Sequence, residues 1–298
     1  MKKVFLAVSI LAAAGCGGGG GPRFVDPASV KFSYGSPTAV GTGTPEADAA
    51  TAGTNGAGAA DGLSQASDDP QAQSLANLPN DVASAAFPDS SGLATAPARA
   101  RAALTRRAAT FASGDLVAAS AGFDDPGCVT VSLLAVKYDH CVYTDTTDGT
   151  VITIDGTFSR AVGADSVDLQ WNATAGVRVT SAVQGGTLVM VASNHLQGDV
   201  TVTLAGADLV TIAGAAKSDV AVSVSAPGAS ASAAYTDGAD LDLDYQPSLQ
   251  CVTGGTLEVK RLWAQRPSGA TAAQLPDLGA KFEWTGCNVA TVSWGTLP

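Results

Sequence analysis

The chain has 298 residues, with 16 Lys and Arg against 27 Asp and Glu, a formal net charge of −11. A surface this acidic repels phosphate backbones, which are bound through clustered Lys and Arg, so nucleic acid is excluded as a partner. An apolar fraction of 46% weighted to Ala and Val, with 6% aromatic residues and 34 Gly, points to many small-residue strands and tight turns.

The first 21 residues read MKKVFLAVSILAAAGCGGGGG. Lys2 and Lys3 form a basic start, and Val4 to Ala14 is an apolar run too short to cross a bilayer, for which a helix takes about 20 residues. This is the pattern of a signal peptide over 1–15, with small residues leading to Cys16. On these residues the leader resembles a bacterial lipoprotein signal, departing from that family at Ala13, where Leu, Ile or Val is usual. The resemblance implies diacylation of Cys16, export and a membrane partner reached through the acyl chains. Gly17 in place of Asp implies sorting to the outer membrane, facing the periplasm or the cell surface. The competing reading is an ordinary secretory leader cut near Ala14. Removing residues 1–15 takes Lys2 and Lys3 away and leaves 14 basic against 27 acidic residues, a net charge of −13.

Residues 16–96 are dominated by Gly, Ala, Ser, Thr, Pro and Asp and show no sustained apolar period. Such a segment buries too little apolar surface to offset chain entropy, and it reads as a disordered tether. One exception is the run 23–34, where Phe24, Val25, Val30, Phe32 and Tyr34 suit an edge strand. Residues 97–122 then read as an Arg-rich amphipathic helix, with Ala100, Leu104, Ala108 and Phe111 at helical spacing.

From residue 123 to 298 the dominant period is two. Val129-Val131-Leu133, Val200-Val202-Leu204 and Val220-Val222-Val224 alternate with Thr, Ser and Ala, and GG, GAD and APG stretches punctuate the strands. About eleven short-linked strands without a helical crossover predict an all-β antiparallel meander. A sheet of that size must curl, close or split, so the expected architecture is a curved sheet or partial barrel with one helix packed on it; a two-sheet sandwich is the alternative. In an exported chain the four cysteines beyond Cys16 suggest two disulfides. Cys128–Cys141 with Cys251–Cys287 is the favoured pairing, and the nested Cys128–Cys287 with Cys141–Cys251 is the competing one.

Chemistry is sparse. The two histidines stand apart: His140 sits in Tyr138-Asp139-His140-Cys141, where strict alternation would send His140 to the face opposite Asp139, and His195 has no carboxylate or Cys within three residues. No nucleophile elbow, zinc-protease or phosphate-loop motif occurs, so the chain does not read as an enzyme. Asp237, Asp240, Asp242 and Asp244 form the one acidic row, three of them on one strand face, and they are the candidate ligands for Ca²⁺. Trp284 and Trp294 flank Cys287 and are expected to pack on its disulfide. The resulting expectation is a lipid-anchored envelope protein whose β-domain serves structure or interaction with another protein. A periplasmic carrier of a lipid or other apolar small molecule is the alternative, and an Asp-dependent hydrolase the weakest reading.

Overall fold

The computed structural model describes residues 22–65, 78, 81–87, 122–132, 134–146, 149–183 and 185–298. The leader with Cys16, and the Arg-rich helix expected over 97–122 as far as residue 121, lie outside them. The described chain is a single antiparallel sheet of twelve strands, open rather than closed, with a 21-residue α-helix on it and a shorter helical stretch over 81–86. β1 (Ser33–Tyr34) and β2 (Thr38–Ala39) precede the helix α1 (Pro45–Gln65). The meander follows: β3 (Val129–Val131), β4 (Ala135–Thr144), β5 (Val151–Val162), β6 (Ser166–Val183), β7 (Gly186–Gly206), β8 (Leu209–Ala226), β9 (Ala229–Gln246), β10 (Cys251–Gln265), β11 (Leu278–Gly286) and β12 (Val289–Thr296). Each strand from β3 to β12 pairs with its sequence neighbours, so the all-β meander expected from the alternation is what forms, as one sheet and not as a sandwich. Strands β6 to β9 have 18 to 21 residues, giving a length of roughly 60 Å.

The strands are longer than the sequence signals suggest because small residues let the sheet coil without breaking. Gly214 on β8 and Gly255 on β10 take φ of 145° and 94°, and a Cβ on either would lie 2.2 or 2.0 Å from a carbonyl oxygen of the next strand. Only glycine fits these close approaches, where the pleat is kinked and curvature accumulates.

Register stacks one apolar face across the whole sheet. Leu169 and Trp171 of β6 share it with Val200 and Leu196 of β7, Ile212 of β8, Leu241 and Leu243 of β9, Leu257 of β10 and Phe282 of β11. Across this face lies α1. Thr44 caps it by accepting the Ala47 N–H (3.2 Å), Pro45 opens it, and Glu46 and Asp48 suit the positive end of its dipole. Ala49 and Ala57 are buried against the sheet, and Leu78, Val82 and Phe87 complete the cover.

The opposite face is polar, and residues 22–34 cross part of it as a strap. The Pro27 ring occupies the space over Gly238, Phe32 and Tyr34 lie over Gly279 and Gly295, the Tyr34 hydroxyl donates to Glu258 (2.5 Å), and Lys260 Nζ donates to the Pro27 carbonyl (3.2 Å). β1 and β2 then pair along the outer edge of β12, so the expected edge strand in 23–34 is β1. The reading of 16–96 as a disordered tether is corrected over 22–65: the chain straps one face, seals the β12 edge and reaches the other face as α1.

Candidate functional site

Both favoured disulfides form, Cys128–Cys141 with Cα atoms 5.2 Å apart and Cys251–Cys287 at 5.4 Å. The first ties the turn before β3 to β4, near one edge of the sheet; the second joins the start of β10 to the β11–β12 turn. Neither Cys128 nor Cys141 is left to bind a metal.

The acidic row does not assemble as the calcium set expected. β9 begins at Ala229, so Asp237 lies within it and projects to the face opposite Asp240, Asp242 and Asp244. There Asp237 is fully buried and paired bidentately with Arg261, Nε to Oδ1 at 2.7 Å and Nη2 to Oδ2 at 2.8 Å. The Arg261 Nη1 donates to the Phe87 carbonyl (2.5 Å), and its guanidinium stacks over the Tyr235 ring at 4.7 Å. Asp240 stays on the polar face, 3.7 Å from Lys260, which is also 3.2 Å from Glu258. Burial pushes the Asp240 carboxyl upward while Lys260 pulls it back. The row is therefore divided between an internal ion pair and a surface network.

The group of metal-capable side chains that converges among the described residues is a different one: Asp139, His140 and Asp155. Strict alternation fails here because β4 carries an irregularity between Tyr138 and Cys141, with His140 at φ 51°. The Asp155 carboxylate accepts the His140 backbone N–H (2.7 Å), and His140 Nδ1 lies 3.1 Å from both Asp139 Oδ1 and Asp155 Oδ1. The hydrogen bond to Asp139, with Asp155 nearby, raises the imidazole pKa and lowers that of Asp139. One nitrogen and two carboxylate oxygens form a donor set that suits a divalent metal ion. The same atoms are already mutually satisfied as an ion-paired surface turn, with the His140 side chain 83% exposed.

His195 is half-buried on the polar face, bonded through Nε2 to Asn172 (2.8 Å) and 3.8 Å from Asp219, which accepts from Thr236 (2.6 Å). Burial lowers its pKa. Among the described residues, no Ser or Cys side chain is hydrogen-bonded to either histidine, so no activated nucleophile is assembled around them. An open cavity of about 210 Å³ lies beside this network, between the strap at Asp26–Ala28 and β7 to β9, with Gln197, Lys217 and Asp240 on its walls. Trp284 packs against the Gly53 position of α1, and Trp294 meets Phe87 edge-on at 5.9 Å. These contacts connect both tryptophans to the layer covering the sheet.

With this geometry in hand, no protein-family model, no curated protein and no solved structure matches the chain. Two of these features escaped the sequence reading. The Asp139–His140 irregularity has no local signal. Asp237 and Arg261 do have one: each is a charge in the apolar phase of its strand, beside Ala239-Leu241-Leu243 and Leu257-Val259.

Proposed function

We propose that the protein is an exported lipoprotein, acylated on Cys16 and held at the outer membrane, whose β-domain is a structural or interaction module and not an enzyme. The observation that carries the module reading is the self-closure of the apolar face. α1 approaches so closely at Gly53 that a Cβ there would meet Leu257 at 3.1 Å and Trp284 at 3.4 Å, leaving no room for a guest between helix and sheet at that point. The two disulfides suit an oxidising, exported setting, and they brace the domain at its two sides.

Cys16→Ser is expected to leave the β-domain folded and release it from the membrane fraction. A variant that stays membrane-bound, or an unmodified Cys16 by mass spectrometry, would refute the anchor. The carrier reading draws on one observation, the Asn194 Nδ2 group, which is buried on the apolar face with no acceptor within hydrogen-bonding distance among the described residues. Organic extraction of native protein separates the two readings. Repeatedly empty protein supports the module, and a stoichiometric lipid supports the carrier.

A further inference from the structure

Charge is distributed unevenly along the long strands. Residues 179–194, in β6 and β7, and 220–236, in β8 and β9, contain no Asp, Glu, Lys, Arg or His. They form four adjacent strand ends, paired by register from Val179↔Met190 to Val224↔Ala231. These four strand ends therefore carry no Asp, Glu, Lys, Arg or His of their own on either face, in a chain of net charge −11, and are flanked by Arg178 and Asp145 on the β5 side and by the Arg266–Asp277 pair on the β10 side. Val183 and Val191 are 39% and 38% exposed there, and Leu188, Val189 and Met190 are partly exposed. The opposite end of the same strands carries Asp165 and Asp208 at its turns and Asp242 and Asp244 nearby.

A second observation concerns where the chain enters the fold. Asp26 to Ala28 are fixed on the polar face over β7 to β9, next to the start of the uncharged region. Nine residues separate Cys16 from Asp26, and the ten Cα-to-Cα steps span at most about 35 Å of extended chain. The sheet is roughly 60 Å long, so a lipid on Cys16 holds the domain against the bilayer rather than far from it. At that range an acidic surface is repelled by anionic headgroups, whereas an uncharged surface with exposed Val183 and Val191 is not.

We infer that the uncharged ends of β6 to β9, the β6–β7 and β8–β9 hairpins, rest on the membrane surface at headgroup level, with the opposite ends of these strands directed away. This rests on the lipid-anchor reading. Among the described residues the edges of β6 and β9 at this end have no strand partner, which favours contact at the hydrated interface over insertion into hydrocarbon.

Amide hydrogen exchange followed by mass spectrometry tests the orientation on phosphatidylethanolamine–phosphatidylglycerol vesicles. The chain is used with its own acyl groups where mass spectrometry finds them on Cys16, and coupled through Cys16 to a maleimide phospholipid where it does not. The mass of Cys16 thus tests the anchor, and the exchange tests the orientation separately. Exchange at 179–191 and 223–233 is expected to slow by about tenfold on vesicles while 204–209 is unchanged. Val183→Asp with Val191→Asp, both at exposed positions, should abolish the slowing without altering the melting temperature. Unchanged exchange at the hairpins, or slowing spread equally over both ends, overturns the proposal. So does protection of these residues only when envelope protein is added.

Discussion

Arg261→Met offers the sharpest test of how the two layers are joined. It removes the cation that neutralises Asp237, a carboxylate with no solvent exposure, and leaves the Phe87 carbonyl without the Nη1 donor. Breaking a buried pair by deleting one partner costs about 3–5 kcal/mol, because the remaining charge keeps its desolvation penalty. The lost stacking on Tyr235 adds about 0.5–2 kcal/mol. The double variant Asp237→Leu, Arg261→Met buries no charge, and apolar replacement of a buried pair is often neutral, so most of the loss should be recovered. Equilibrium unfolding in urea, followed by tryptophan fluorescence, reads both. The midpoint of the single variant should fall well below that of the parent, with an unchanged slope, and that of the double variant should lie between them, nearer the parent. A single variant costing less than about 1 kcal/mol, or a double variant no more stable than the single, would refute the reasoning.

Gly238→Val would place a Cβ 2.4 Å from the Pro27 Cβ and displace the strap. Overpacking of this kind costs about 1–3 kcal/mol, and trypsin should cut at Arg23 and Lys31 faster than in the parent; equal cleavage rates would count against the docked strap. The two histidines should respond to pH with opposite signs. The raised pKa of His140 gives a stabilisation that is complete below the unfolded pKa and lost as pH rises through the folded one. The lowered pKa of His195 gives stability that is present above the unfolded pKa and lost as pH falls through the folded one. Melting temperatures from about pH 5 to 8 should show His140→Gln most destabilised relative to the parent at the acid end, and His195→Gln relatively better there. Parallel curves for the two variants would contradict both assignments.

The sheet was legible in the sequence wherever a strand has one wet face. Val200-Val202-Leu204 and Val220-Val222-Val224 announce their strands through alternation alone, and hairpin connections leave few alternatives to a meander. α1 was not legible. Its composition, rich in Gly and Ala, is poor by helix propensity, since each interior Gly costs about 1 kcal/mol relative to Ala. What holds it is tertiary: Gly53 and Gly56 let the helix approach Leu257, Trp284 and Leu78, contacts that no local window contains. The candidate site divides in the same way. The disulfide pairing followed from sequence proximity. The convergence of Asp139, His140 and Asp155 depends on a backbone irregularity in β4 paired with a residue fifteen positions away, and alternation argued against it. Asp237 was grouped with its sequence neighbours because its strand extends further back than the turn-like Asp-Gly pair suggested.

The strap also sets an order on assembly. Nearly every strand pairing joins neighbours in sequence, so the meander can zip hairpin by hairpin as the chain emerges. The strap is the exception: Tyr34 meets Glu258 across 224 positions, and Pro27 meets Lys260 across 233. The strap residues must therefore wait, undocked, until nearly all the rest of the chain is available. Through that interval α1 has no sheet to lie on, and β1 and β2 have no β12 to pair with. On the lipoprotein reading proposed above, fixing the N-terminus early would shorten the search that finally closes the fold.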